Sequence, residues 1–489
     1  MPHFGYKKLN NKSRVRHFAG GYMTVFLTLV MTVLLSLCLT LIEGARSNAV
    51  RLESYVAASI SLESVMAEYH RELAKQFNIF AIEDSYGTAT ASLSNTENHL
   101  AGYLDKNFDS SDFLLSSFLY RDFMSISASK SEVEGVSYLS DEDGGVFRRR
   151  AYEAMKDDCG VTLLSELQDY VTYIEENELE ERDLSLEIDS LKEEIKDVDF
   201  PEYSGPYSLI TENRSFSKNS PLILYHMVED VGSLSDKQID LSGIFSERKK
   251  RGLINEGNLK LESTDNIQAT LEKFVFDEYL LRYMGSYGNE DESDALRYQI
   301  EYILSGNASD TDNLIGVVGR ILGIRFVADF MYLVGDEEKC RIAEAMATVI
   351  SVVTYTEGFI DIYKALILLI WAQMEAEADV RCLMAGSRVE MIKTKENWRT
   401  DLGQLFDPKD TSGDETGLSY QDYLRIFLLM TNEKVLTARA MDMVEADIRE
   451  TPGNKDFRID ACIDEIAVYI ETRSKFGYTT PIHLRRKYE

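Results

Sequence analysis

The run Tyr22-Met-Thr-Val-Phe-Leu-Thr-Leu-Val-Met-Thr-Val-Leu-Leu-Ser-Leu-Cys-Leu-Thr-Leu-Ile42 holds 21 residues without a single Asp, Glu, Lys, Arg, His, Pro or Gly. As a helix rising ~1.5 Å per residue it is about 30 Å long, the thickness of a bilayer's hydrocarbon core. Glu43-Gly-Ala-Arg46 marks a polar end. Beyond it Leu62, Met66, Tyr69, Leu73, Phe77 and Phe80 recur at helical spacings of four and three. The pattern predicts a transmembrane helix over 22–42 that continues into an extracytoplasmic helix over 43–84.

Upstream, residues 1–21 carry Lys7, Lys8, Lys12, Arg14 and Arg16 and no acid, a basic tail of the kind retained in the cytoplasm. The expected topology is a single pass through the cell membrane, N-terminus cytoplasmic and C-terminal body extracellular. A cleaved signal peptide is the competing reading, since Ser47-Asn48-Ala49 is a small-x-small site; the apolar run, however, exceeds the usual ~7–15-residue signal core. Residues 1–46 hold six Lys or Arg against Glu43, a net of +5, so the remainder carries −36 of the total −31. A body that acidic excludes nucleic acid and anionic lipid as partners.

Outside the apolar run lie Cys159, Cys340, Cys382 and Cys462, widely spaced and without C-x-x-C. This pattern indicates neither a zinc ribbon nor a dense disulfide scaffold, and leaves one long-range disulfide open. Residues 85–262 read as an α/β region. Short helical pieces are expected over Thr96–Phe108 and Ser111–Phe123, and a strand over Ser125–Leu139. A turn follows at Asp141-Glu-Asp-Gly-Gly145, then a helix whose Arg148-Arg-Arg150 reads as a solvated face. Within 163–198 two apolar stripes, Leu164 to Ile174 and Leu184 to Val198, fall out of phase across an acidic segment. That predicts a helical hairpin with a projecting, water-exposed tip. Pro201–Ser220 reads as irregular.

Residues 263–489 predict a helical bundle with C-terminal strands. The expected helices are Ile267–Met284, Leu296–Leu304, Asn313–Leu333, Lys339–Thr356, Phe359–Leu383 and Val435–Ile448. The expected strands lie within Phe457–Thr472 and Ile482–Tyr488. Ser419-Tyr-Gln-Asp422 is a capping-box start for a helix running to Met430. The apolar runs Ala345–Thr356 and Ala365–Met374 are too short for a second membrane pass. The fold class is therefore α+β, predominantly helical, with a small sheet.

The six histidines show no metal spacing, and no P-loop, G-x-S-x-G or dinucleotide fingerprint is present. Asp407-Pro-Lys-Asp410-Thr-Ser-Gly413-Asp414-Glu415 faintly resembles a calcium loop but fails the EF-hand register. Asn213 and Asn307 begin glycosylation triplets. Glu375, Glu377, Asp379 and Arg381 close one apolar helix, and Arg320, Arg325 and Asp329 occupy another. Such charges need partners: a carboxylate acid/base pair or metal cluster is the functional reading, and structural salt bridges the favoured one. No catalytic, cofactor-binding or metal residue is assigned, and no cofactor or enzymatic activity is expected.

Several stretches carry a resemblance. These are Gly20-Gly-Tyr-Met-Thr-Val-Phe26, Leu-Ile-Glu43-Gly-Ala-Arg46, and Glu63-Ser-Val-x-Ala-Glu68-Tyr69 with Phe80. Others are Asp277-Glu-Tyr-Leu-Leu-Arg-Tyr283, Glu301-Tyr-Ile-Leu304, Trp371-Ala, Asp379-Val-Arg381, Lys393-Thr-Lys-Glu396, Gly417-Leu-Ser-Tyr-Gln-Asp-Tyr423 and Arg439-Ala-Met-Asp442. Together they resemble an uncharacterised family of Gram-positive bacterial membrane proteins related to the TadE/TadG-like components of tight-adherence (Flp-type) pilus systems. The resemblance implies a membrane-anchored accessory or minor subunit of a pilus or secretion apparatus, with no catalytic residues to carry over. Processed pilins carry Glu five residues after the cleavage glycine; counted from Gly21 that position is Phe26, so an unprocessed, TadG-like anchor fits better. The expected partners are the bilayer through Tyr22 to Ile42, proteins of the apparatus, and further copies through helix self-association. The alternative is a single-pass adhesin or ligand-binding protein with an acidic head. A cell-envelope hydrolase is a third reading, and would need two buried carboxylates to converge in an open pocket.

Overall fold

A computed structural model describes residues 14–88, 90–108, 125–156, 161–200, 222–228, 230–248, 266–292, 294–402, 413–414 and 416–488. In chain order these form α1 (Arg14–Met66), α2 (Arg71–Phe77), β1 (Ile82–Glu83), α3 (Leu93–Phe108), β2 (Ile126–Tyr138), α4 (Asp141–Met155), α5 (Val161–Glu176), α6 (Leu184–Glu194) and α7 (Leu222–Met227). There follow α8 (Asn266–Tyr283), α9 (Gln299–Ser305), α10 (Asp310–Gly335), α11 (Glu337–Thr354), α12 (Ile360–Met384), α13 (Tyr420–Met430), α14 (Glu433–Glu450), β3 (Cys462–Ser474) and β4 (Thr479–Lys487). The architecture is α+β and predominantly helical, as expected. The expected helix over Ser111–Phe123, the stretch Pro201–Ser220, Asn213, Cys159 and most of the calcium-like loop lie outside the described residues.

The chain divides into two compact, discontinuous units. The first comprises Met1–Glu68, Ser92–Val136 and Glu465–Lys487. In α1 the most apolar stretch is wholly unburied, and it is the one helix among the described residues long and apolar enough to cross a membrane. Further along, Val50, Ala57, Ala58, Leu62 and Val65 turn one face into a core with Leu100 and Leu104 of α3. Polar ties reinforce that packing: Tyr103 Oη donates to Glu68 at 2.7 Å, and Asn107 Nδ2 to Ser61 Oγ at 2.8 Å. β3 and β4 form an antiparallel hairpin, with Val468 opposite Leu484 and Ile470 opposite Ile482. These apolar residues lie at every second position, so one pleated face is buried throughout. β2 pairs with β3 on the side away from β4.

The second unit comprises Tyr69–Ala91, Ser137–Asp464 and Tyr488–Glu489. Its centre is the pair α10 and α12, apolar on several faces and buried along most of their length. The helix starts follow the capping chemistry of the sequence. Ser309 accepts from Asp312 N, Asp336 from Glu338 N and Lys339 N, and Ser419 forms the expected capping box with Asp422. At the end of α9, Gly306 has φ 81° and the Arg439 guanidinium lies where a Cβ would project. That guanidinium donates to the terminal carbonyls of Ile303 and Leu304 at 2.8 and 2.9 Å. β1 pairs with the start of β3 through Ile82 and Ile463.

Three expectations are corrected. The apolar spacing through Phe80 is not one helix: α1 ends at Met66, and His70 caps the separate α2 by accepting from Leu73 N. The tip between α5 and α6 is water-exposed at Glu178, Glu181, Arg182 and Asp183 but does not stand free, because Leu179 is fully buried and Glu180 pairs with Arg320. Of the three arginines, Arg150 is buried and bidentate to Asp464 at 2.5 and 3.1 Å, while Arg148 pairs with Glu433. Three consecutive residues on a helix point about 100° apart from one to the next, so Arg148, Arg149 and Arg150 cannot share one solvated face. On the disulfide left open above, Cys38, Cys340 and Cys462 carry free thiols.

Candidate functional site

The strongest concentration of buried charge lies between α10 and α12. Arg325 and Asp329 are four residues apart on one face of α10, and Glu375 and Asp379 four apart on the facing side of α12. A segment following α12 adds Lys393 and Arg399, and Asp414 lies beside them. Arg325 Nη2 reaches Asp379 at 2.5 Å and Asp329 at 2.9 Å. Its Nη1 donates to the carbonyls of Glu390 and Met391 at 2.8 and 2.9 Å. Lys393 Nζ bridges Glu375 at 2.5 Å and Asp379 at 2.8 Å. Arg399 joins Asp379 at 3.1 Å to Asp414 at 2.8 Å.

The oxygens of Glu375 are fully committed. Oε1 also accepts from Arg399 N, and Oε2 from both the amide and the hydroxyl of Thr400, at 2.7–2.8 Å. Thr400 in turn accepts from Trp371 Nε1 at 3.0 Å, and Trp398 closes the cluster edge-on to Trp371. Lys339 Nζ lies 4.6 Å from the Trp398 ring centroid and 4.9 Å from that of Trp371, a cation–π cap on the indole pair. With every oxygen of Glu375 and Asp379 held by a donor, neither carboxylate is free to take a substrate proton. Asp329 differs, since its Oδ2 is buried without a partner. Burial raises its carboxyl to about 8 against the pull of Arg325. Burial also works against the charge of Arg325, but Asp329 and Asp379 hold its guanidinium above the ordinary arginine range.

A second set of buried acids anchors the segment around α9. Asp310 accepts from Arg297 N and Tyr298 N at 2.9 and 3.0 Å. Asp447 accepts from Ala295 N at 2.8 Å and Gln299 Nε2 at 2.7 Å. Glu301 accepts from Tyr287 N at 3.0 Å and Tyr420 Oη at 2.8 Å, and Asp442 from Ser246 N at 2.8 Å and Tyr302 Oη at 3.1 Å. These donors are neutral, so desolvation prevails: Glu301 and Asp447 are pushed up to about 7 and Asp442 to about 6. Asp277 on α8 is buried with neither carboxylate oxygen hydrogen-bonded, and burial raises it well above the carboxylate range.

The structure thus brings together Arg325, Asp329, Glu375 and Asp379 as the favoured salt-bridge reading expected. It places the other charges of those helices elsewhere. Glu377 accepts from Gln373 at 3.0 Å, Arg320 pairs with Glu180, and Arg381 donates to the carbonyl of His226 at 2.7 Å. The sequence reading missed Lys393, Arg399 and Asp414, which lie in a stretch with no periodicity. It also missed Glu301, Asp442 and Asp447, whose only signal is an acid inside an otherwise apolar helical stripe. Among the described residues no three or more His, Cys, Asp or Glu side chains are grouped as metal ligands.

Residues 208–474 match the model of a family of unknown function, DUF5702. The match takes in both buried charge sets and ends before β4, leaving out the apolar helix. Comparison with curated proteins finds no match, and neither does comparison with solved structures. With more than half its length in the match, the chain belongs to the DUF5702 family, whose function is unknown.

Proposed function

We propose that the protein is a non-catalytic, membrane-anchored extracytoplasmic component of a tight-adherence (Flp-type) pilus or secretion apparatus, an accessory or minor subunit of TadE/TadG-like type. One observation carries this reading: the apolar surface of α1 does not stop with the apolar run. Leu52, Tyr55, Val56 and Ile60 lie on the polar side of Arg46 and remain between 46 and 66 % exposed, a stripe at helical spacing left uncovered by the described residues. A helix that leaves a bilayer with an apolar stripe uncovered is built to lie against other helices. The donor-saturated carboxylates of Glu375 and Asp379 support a structural rather than a catalytic role for the body.

The test is a photo-crosslinking residue at Val56 in the full chain, tagged at Glu489 and purified from its own membrane, with adducts identified by mass spectrometry. Adducts with pilin, platform or ATPase-associated membrane subunits are expected. A bait that returns intact and unadducted removes the main support. The same analysis reads the N-terminal peptide and so reports cleavage after Gly21 or Ala49.

A single-pass adhesin or ligand-binding role is the second reading, favoured by α11. Its outer face leaves Ile342, Val349 and Val352 exposed, and Tyr355 at its end is 94 % exposed. Specific binding to that face without any apparatus partner distinguishes this reading.

A further inference from the structure

The β3–β4 hairpin turns at Lys475-Phe-Gly-Tyr478, closed by Gly477 N donating to Ser474 O and Ser474 N to Tyr478 O, both at 2.9 Å. Gly477 has φ 83°, a conformation that suits glycine and lets the turn stay this tight. The turn does not end in open solvent. Tyr478 Oη donates to Glu43, and the Arg46 guanidinium lies 4.4 Å from the centroid of the Phe476 ring. Glu43 and Arg46 are the polar residues that end the apolar run of α1, so the tip is held at the level where the helix leaves hydrocarbon.

The element lengths agree with this register. At the other end of β4, Arg486 donates to Ser59 Oγ at 2.8 Å and meets Glu63 at 3.3 Å. From Tyr478 to Arg486 a strand covers about 26 Å, and from Glu43 to Ser59 or Glu63 a helix covers about 24 to 30 Å. Strand and helix therefore run side by side, and Thr472 ties the neighbouring strand to α1 through Ser54 at 2.8 Å. Phe476 is 39 % exposed at the tip, with Lys475 and Arg473 exposed around it. An exposed aromatic, a tyrosine and two basic side chains at this level are the groups that favour a membrane interface.

We infer that the Arg473–Tyr478 tip is a second membrane contact, resting on the headgroup layer of the leaflet from which α1 emerges. The inference rests on the membrane-anchored reading of α1. The net charge of the body argues against the head as a whole approaching anionic lipid, but the tip is locally basic and carries the aromatic ring. Beside it a groove of about 900 Å³ runs along α1 from Tyr478 towards Thr32, floored by the small residues Ser36, Thr40 and Gly44. This groove is the space a lipid chain fills when the tip is seated. A helix anchored only at its span can tilt freely; a second contact fixes how unit 1 stands on the membrane.

The experiment uses the full chain in nanodiscs of phosphatidylcholine with phosphatidylglycerol, carrying Phe476→Trp, with the unsubstituted chain subtracted to remove Trp371 and Trp398. The added indole is expected to emit to the blue of its position in short-chain detergent. Bromines placed near the headgroups should quench it more than bromines at the chain ends. Adding Lys475→Glu should weaken the quenching. If alkaline extraction strips the chain from membranes, the membrane reading fails and the tip contact with it. If the chain stays inserted and the added indole is neither shifted nor quenched, the tip contact alone is overturned.

Discussion

The two sets of buried charge solve one problem in different ways. Between α10 and α12, carboxylates are paired with cations: Asp379 meets Arg325, Lys393 and Arg399, and Glu375 meets Lys393. Around α9, Asp447, Glu301 and Asp442 meet amides and hydroxyls alone. A cation compensates for lost hydration by full charge, a neutral donor only by partial charge. Glu301 and Asp447 are accordingly raised to about 7 and Asp442 to about 6, so the second set changes protonation around neutral pH; in the first set Asp329, one of whose oxygens has no donor, is raised as well, to about 8. The first is a lock built on contacts between cations and carboxylates, the second a lock of neutral donors whose strength depends on pH.

The largest effect is expected from breaking the first set. Asp379→Asn removes the negative charge shared by three cations and leaves Arg325 buried with only Asp329, whose own carboxyl is raised by burial. Removing one member of a buried ion pair costs about 3–5 kcal/mol, because the remaining charge is uncompensated. Thermal unfolding in detergent should show the apparent midpoint fall by roughly 4–7 °C. A shift of a degree or two would mean that water reaches the cluster and that the lock is not one.

The first set was half legible in the sequence, and the reason is geometric. Arg325 with Asp329, and Glu375 with Asp379, recur at four-residue spacing inside apolar helices, so each pair announces a common buried face. Lys393, Arg399 and Asp414 lie in irregular chain, where no period reports direction, and only the fold brings them in. The acids around α9 were hidden differently: each takes one donor from a backbone amide, which every residue supplies and no sequence marks, and one from a side chain with no periodic relation to it. The same limit explains the break at Met66. Apolar spacing continues across Ala67–His70, but the His70 side chain capping Leu73 starts a new helix. Nor does any local pattern show that the first unit is assembled from three separated stretches, because strand pairing between residues hundreds apart leaves no periodic trace.

The second set supplies the next effect, in pH dependence. Glu301 and Asp447 have folded-state values of about 7, raised above the ordinary carboxylate range. Raised groups bind more protons folded than unfolded, so their contribution is complete below pH ~4 and is lost as pH rises through ~7. Each proton so linked changes stability by at most about 1.4 kcal/mol per pH unit. Denaturant unfolding should therefore give a more stable protein at pH 5 than at pH 7.5. Asp447→Asn should reduce that difference by about 2 kcal/mol while leaving the Asp379→Asn cost in place. A pH-independent midpoint would show that these acids are hydrated and that the two sets do not differ.

Asp277 is the limiting case of the second set, with no donor for either oxygen. Replacing an unsatisfied buried polar group by an apolar one of similar size removes a desolvation cost, so Asp277→Leu should stabilise by about 1 kcal/mol at pH 7.5. The gain should shrink at pH 5, where less of the cost of ionisation applies. A loss of stability would mean that the carboxyl has a partner in solution, and would move Asp277 into the company of Asp447.

The smallest effect isolates what burial contributes. Lys395 is two residues from Lys393 and makes an equally short ion pair, 2.5 Å to Glu338. Its side chain is 68 % exposed, whereas that of Lys393 is 1 % exposed. In water the attraction between Lys395 and Glu338 is screened and replaces good hydration, so little remains of it as stability. Lys395→Ala should leave the unfolding midpoint unchanged at both low and high salt, while Lys393→Ala strands Glu375 and Asp379 beside one another with a cation missing. Equal effects of the two substitutions would show that contact distance, not exclusion of water, sets the strength of these pairs, and the contrast between the two buried sets would lose its basis.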